Sequence, residues 1–246
     1  MKNLKEYIIE GIFNIEDNID NMDESIKDQI KQFLNDNFTN TSKCKISNKP
    51  NTDGKFEVSS NSDVMVKNKQ ITSLTNRLFI WTYIKGDFYC TNCTSLTSLE
   101  GAPKVVGRDF FCNDCNSLIS LEGAPKEVGG DFDCEYCTSL TSLEGSPKKI
   151  GGGFRCGNCT SLTSLKGAPK MVNKDFYCGY CNSLKSLEGA SKEVGWNFTC
   201  HNCTSLTSLK GAPEKVGWNF NCVHCKVEFT EEDVKKVSNV KGTIDV

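Results

Sequence analysis

Fourteen of the fifteen cysteines in this chain fall in seven CxxC pairs that recur every 22 residues without slippage. The first members are Cys90, Cys112, Cys134, Cys156, Cys178, Cys200 and Cys222; the second are Cys93, Cys115, Cys137, Cys159, Cys181, Cys203 and Cys225. A fixed period of this length predicts a solenoid built from one repeated supersecondary unit. The repeats occupy residues 86–227 of the 246-residue chain. One 22-residue turn cannot seal a core by itself. Stacked turns can, if parallel strands hydrogen-bond along the stack.

Within a repeat, Phe88 and Cys90 stand two residues apart and so point the same way from a short strand. Cys93 would face outward if that strand continued, so the chain is expected to bend there. Gly101 and Pro103 break it again. The inward set per turn is then Phe88, Cys90, Cys93, Leu96, Leu99, Pro103 and Val106, with equivalents in the other copies.

Outside the repeats, residues 1–38 read as helical. Leu4, Ile8, Ile9, Ile12 and Phe13 form one apolar stripe, and Ile26, Ile30, Phe33 and Leu34 a second. Asn21 or Asp23 is the expected cap of the second helix. Residues 39–63 form a polar connector with one short strand at 55–58. Residues 64–85 hold a worn copy of the repeat, Val64-x-Val66-x-x-Lys69-x-Ile71 and on to Leu74, expected to cap the stack. Residues 228–246 close it with a short helix, Thr230 as its cap, and a final strand at 242–246.

Charge is nearly balanced, 29 Lys and Arg against 31 Asp and Glu, so the basic excess expected of a nucleic-acid binder is missing. The longest apolar cluster, Leu78–Trp81, is too short to span a membrane, and the first residues lack a signal-peptide core. A cytoplasmic location is expected, where cysteines stay reduced. No nucleophile elbow, phosphate-cradling glycine loop or HExxH motif stands in the sequence, so no catalytic residues and no cofactor are assigned.

The string Phe88-x-Cys90-x-x-Cys93-x-x-Leu96, followed by Leu99, resembles the leucine-rich-repeat pattern, and its 22-residue period falls within that family's range. The tail Leu96-Thr97-Ser98-Leu99-Glu100-Gly101-Ala102-Pro103 resembles the short repeats of bacterial effector-type leucine-rich proteins. Phe and Cys stand where that family usually places strand leucines, and Cys rather than Asn holds the ladder position. The chain is also similar to hypothetical repeat proteins of tailed bacteriophages and low-GC bacteria. The resemblance implies a leucine-rich-repeat-like solenoid: a parallel sheet with one short strand per turn, plus a small helical N-terminal segment.

The cysteines admit three readings. CxxC followed eighteen residues later by CxxC fits four-thiolate zinc spacing. Against this, seven pairs do not share out two by two, and each first cysteine sits where a solenoid buries an apolar side chain. Core packing is the expected role, zinc the first alternative and disulfide or redox use the second. Cys44 receives no role. His201 and His224 lie in neighbouring CxxC loops and are expected to be exposed loop residues, with a local His/Cys metal site as the alternative.

The resemblance makes the outward strand positions a concave binding face. The expected partner-binding residues are Asp87, Tyr89, Asp109, Phe111, Asp131, Asp133, Arg155, Asp175 and Tyr177. The Asp column makes a basic protein partner the expected one, with neither nucleic acid nor membrane involved. Lys104, Lys126, Lys148, Lys149, Lys170, Lys192 and Lys215 fall on the opposite, connecting side. The function expected is a non-enzymatic protein-binding or scaffold module. The alternatives are a zinc-stabilised array, and a component of a larger assembly docking through residues 1–38.

Overall fold

A computed structural model describes residues 19–246. The stripe of Leu4, Ile8, Ile9, Ile12 and Phe13 lies outside the described residues.

Helix α1 (Ile19–Asn37) contains Asn21 and Asp23 within its span, so neither is its cap. Its stripe buries Ile30 and Leu34 completely or nearly so, with Ile26 and Phe33 packed alongside. Phe33 meets Phe79 edge-on at 5.8 Å, which seats the helix on the first turn of the stack. The connecting region holds β1 (Phe38–Thr39), β2 (Cys44–Ile46), β3 (Phe56–Ser60), β4 (Val64–Val66) and β5 (Phe79–Ile84). The single strand expected at 55–58 is realised as β3, and β2 pairs with it antiparallel. The worn repeat is in register: Val64 pairs with Phe88. Lys69, standing where later turns carry their second cysteine, donates Nζ to the Thr91 carbonyl at 2.8 Å.

Each of the first six repeats then contributes two short strands rather than the one expected, and the seventh its Phe strand alone. The Phe strands are β6 (Phe88–Tyr89), β8 (Phe110–Phe111), β10 (Phe132–Asp133), β12 (Phe154–Arg155), β14 (Phe176–Tyr177), β16 (Phe198–Thr199) and β18 (Phe220–Asn221). Between them run β7 (Val105–Val106), β9 (Glu127–Val128), β11 (Lys149–Ile150), β13 (Met171–Val172), β15 (Glu193–Val194) and β17 (Lys215–Val216). Helix α2 (Glu231–Val237), β19 (Asn239–Val240) and β20 (Ile244–Asp245) close the chain. Thr230 caps α2 through a capping box with Asp233, as expected.

The Phe strands, with β1, β4 and β20, form a ten-stranded sheet that is parallel except at β1. Its inward phenylalanines stack turn on turn, 5.1–5.5 Å between ring centroids from Phe88 to Phe220. The aliphatic strands form the connecting side. Only one residue of each two-residue strand is apolar and buried, so no period-two signal marks them in the sequence.

Two backbone devices turn the chain. The residue before each second cysteine (Asn92, Asp114, Tyr136, Asn158, Tyr180, Asn202, His224) is left-handed, with φ of 54–59°. This is the bend that takes Cys93 and its equivalents inward. The second corner is Gly101 and its equivalents. At Gly145 φ is 91°, and a Cβ would lie 2.4 Å from the Glu122 nitrogen of the preceding turn. Only glycine meets both demands.

The connecting side is interrupted once. Gly107, Gly129, Gly151, Gly195 and Gly217 share a column in which an added Cβ would strike the carbonyl of the turn before, at 2.1 Å for Gly129 and 2.0 Å for Gly151. The fourth member is Asn173, whose Cβ cannot take that place. There the aliphatic strands divide into a six-stranded sheet ending at β11 and a four-stranded sheet beginning at β13. Asn173 Nδ2 bridges the gap, donating to the carbonyls of Ile150 (3.2 Å) and Gly151 (3.3 Å). The Phe stack changes at the same level: rings up to Phe154 lie within 11° of parallel, and Phe154 and Phe176 are tilted by 33°.

Candidate functional site

The two cysteines of a pair do different work. All fifteen cysteines are free thiols, and the seven first members are buried. From the second repeat on, each second cysteine reaches back one turn and donates its thiol to the carbonyl of the previous first cysteine. Cys115 reaches Cys90 at 3.1 Å; Cys137, Cys159 and Cys181 reach Cys112, Cys134 and Cys156 at 3.2 Å. Cys203 and Cys225 reach Cys178 and Cys200 at 3.3 Å. The acceptor lies one residue past the two-residue strand, and the thiol satisfies a carbonyl that burial would otherwise penalise. Cys93, at the start of the row, has only a long contact of 3.8 Å to the Thr91 carbonyl. Burial drives the thiols of Cys90, Cys112, Cys156 and Cys178 well above their ordinary range, which keeps them protonated. Among the described residues no three Cys, His, Asp or Glu side chains converge in a way that could hold a metal ion.

The Asp column has a structural task. Asp63 Oδ1 accepts from the Asp87 amide (2.9 Å), Asp87 from Asp109 (2.9 Å), Asp109 from Asp131 (2.7 Å) and Asp131 from Gly153 (2.8 Å). After the break at Gly153 the ladder resumes, with Asp175 accepting from Asn197 at 3.0 Å and Asn197 from Asn219 at 3.1 Å. These carboxylates turn back onto the next turn's main chain at the sheet's margin. Asp87 and Asp131 also have cations near them, Arg108 at 3.7 Å and Lys174 at 3.9 Å.

The middle column is what the ten-stranded sheet presents outward: Tyr89, Phe111, Asp133, Arg155, Tyr177, Thr199 and Asn221, all half-buried. Tyr89 and Phe111 stack at 4.9 Å, 7° from parallel, and Tyr89 donates its hydroxyl to Asp87 Oδ2 at 2.9 Å. Desolvation, reinforced by that bond, pushes the Tyr89 phenol up to about 12. Asp133 accepts from the Glu135 amide at 2.9 Å, and partial burial raises the pKa of both carboxyls. Further along, a shallow depression of about 300 Å³ is lined by Arg155, Tyr177, Thr199, Asn221 and Asp245, with the ladder residues Asp175, Asn197 and Asn219. The nine sequence-predicted residues thus divide into four ladder acceptors and five outward side chains.

His201 is half-buried and His224 exposed. His201 packs edge-on against Tyr180 (5.0 Å) and Tyr177 (5.7 Å), and burial lowers its pKa. On the connecting side three of the predicted lysines pair with glutamates one turn away, Lys149–Glu127 (2.7 Å), Lys192–Glu214 (3.0 Å) and Lys215–Glu193 (2.7 Å). Such exposed pairs contribute under about 1 kcal/mol each.

One feature of this surface went unassigned in the sequence. Trp196 and Trp218 are 41% and 57% exposed and stack at 5.6 Å, with Lys174 Nζ 5.6 Å from the Trp196 ring. The signal was present as Gly-Trp-Asn-Phe at 195–198 and again at 217–220.

Among the described residues no helix is long and apolar enough to cross a membrane. Compared with protein-family models, with curated proteins and with solved structures, the chain finds no significant match.

Proposed function

We propose that this chain is a non-enzymatic protein-binding module of leucine-rich-repeat-like type, working through the outer face of its ten-stranded sheet. The observation that carries the reading is the division of labour among columns. The Phe, Cys, Leu and aliphatic columns fill the core, and the Asp column and the second cysteines hold ladders. The middle column changes chemistry from turn to turn while standing on a rigid sheet, and so does the column just past each first cysteine, which carries Glu135 and His201. The middle column offers an aromatic pair, a carboxylate, a guanidinium and a further tyrosine in sequence along one face. Repeat solenoids create extended surfaces of this kind, and aromatic and Arg side chains dominate binding energy at interfaces. The charge offered to a partner comes from Asp133, Arg155 and neighbouring Glu135 rather than from the Asp column, whose carboxylates are already engaged.

A displayed peptide library panned on the full chain tests this. Peptides enriched on the native protein are expected to lose binding to a Tyr89→Ala/Phe111→Ala/Arg155→Ala variant whose melt is preserved. Equal binding to both proteins refutes the use of this face.

A further inference from the structure

Repeats three to five depart from the pattern at positions that converge. In the left-handed column the other copies carry Asn, Asp or His, residues with short or polar side chains that tolerate φ near +60°. Tyr136 and Tyr180 are the exceptions, both at φ 59° and 49% and 42% exposed. A bulky residue in that conformation is unfavourable, and such outliers concentrate at functional sites. In the column after each first cysteine, the two glycines are Gly157 and Gly179, and Tyr177 lies over both. A Cβ on Gly157 would sit 2.1 Å from Tyr177 Cε1 and 2.9 Å from Glu135 Oε1; one on Gly179 would sit 3.1 Å from the Tyr177 hydroxyl oxygen. The two glycines therefore clear the space in which the Tyr177 ring and the Glu135 carboxylate meet.

Tyr136 and Tyr180 spring from positions two turns apart, about 9.6 Å by the spacing of parallel strands. Asn158 lies between them in the same column, and His201 backs Tyr180 edge-on at 5.0 Å. Side chains rising from positions so spaced bracket a gap in which a cation can lie within the roughly 6 Å range of cation–π attraction. Glu135 supplies the opposite charge at one wall.

The geometry points to a cation-binding site formed by Glu135, Tyr136, Asn158, Tyr177 and Tyr180, which receives the Lys or Arg side chain of a partner peptide. This rests on the reading of the sheet face as a binding surface and gives that face its anchor. The acidic and aromatic chemistry selects a basic side chain over an acidic or apolar one.

The test titrates isotope-labelled full-length protein with a short Gly/Ser peptide carrying one central arginine, and with the same peptide carrying neutral, isosteric citrulline. The arginine peptide is expected to shift the amides around 135–136, 158 and 177–180 saturably, and citrulline to bind at least about tenfold more weakly. Tyr136→Asn/Tyr180→Asn places at both positions the residue other copies use, so the fold is retained and its melt is equal or higher. Binding should fall by about tenfold. Glu135→Gln should weaken arginine binding and leave citrulline unaffected. Citrulline binding as tightly as arginine overturns the cation site, as does a double variant that binds normally. Shifts confined to Tyr89 and Phe111 overturn the site while leaving the face reading intact. No saturable shift anywhere on the sheet, with panning equally empty, overturns both.

Discussion

Exchanging the two cysteines of one central turn for serine and for alanine should give opposite rankings. At Cys159 the thiol donates to the Cys134 carbonyl at 3.2 Å. Cys159→Ala removes that donor and orphans a buried acceptor, at about 1–3 kcal/mol, beyond the lost sulfur contacts. Cys159→Ser keeps a donor at nearly the same place and should cost about 1 kcal/mol less than alanine. Cys156 is fully buried among apolar groups with no donor role in the structure. There Cys156→Ala loses only packing, whereas Cys156→Ser buries a hydroxyl without a partner, a further penalty of about 1–3 kcal/mol. Thermal and urea unfolding under reducing conditions measure all four variants in one background. For a chain of this length 1 kcal/mol corresponds to roughly 2–4 °C in Tm. Serine milder than alanine at 159 and harsher at 156 supports the thiol ladder. The same ranking at both positions refutes it, and equal collapse of all four variants would mean that the two cysteines serve one shared purpose.

Other consequences are as direct. Gly145→Ala should cost more than about 3 kcal/mol or prevent folding, because φ is 91° and the new Cβ meets main-chain atoms at 2.4 Å; far-UV circular dichroism reads it. Tyr136→Asn alone should raise stability by about 0.5–1 kcal/mol by relieving a left-handed tyrosine, measured by urea titration. Asn173→Gly should let the six- and four-stranded sheets pair across the gap, seen as slowed amide exchange at residue 173, where the main-chain nitrogen takes over from Nδ2. Alkaline pH should unfold the protein steeply. The buried thiols have folded pKa values raised above the ordinary 9.0, so their stabilisation is intact below pH 9 and is lost as pH rises and the unfolded thiols ionise. The first cysteines of six turns alone, fully buried and each raised, give a slope of roughly 8 kcal/mol per pH unit above 9; a gentle slope followed by circular dichroism contradicts this.

The solenoid was legible because 22-residue spacing repeats every inward residue: Phe88, Cys90, Cys93, Leu96, Leu99, Pro103 and Val106 are all buried, as their pattern predicts. The inward turn of Cys93 follows from the strand's period and is achieved by Asn92 in the left-handed region. The second strand of each turn was hidden because Val105–Val106 is too short to show a period, and its pairing is a property of the stack. The ladder role of the Asp column was hidden for a related reason. Outward direction can be read from alternation, but the 2.7–2.9 Å bonds of Asp87 and Asp109 to the next turn's amides exist only once turns are superposed. Asn173 shows the converse: a single break in a glycine column is plain in the sequence, and its effect depends on a carbonyl one turn away.

Metal content decides between the two uses of fourteen cysteines most directly. The full chain is purified under reducing conditions, its bound metal counted, and its melt repeated in chelator. The account predicts no stoichiometric metal and an unmoved melt, because the second thiols are committed to carbonyls and the first to the core. About three zinc ions per chain, with collapse of the fold in chelator, would contradict it and make the cysteine columns a zinc array.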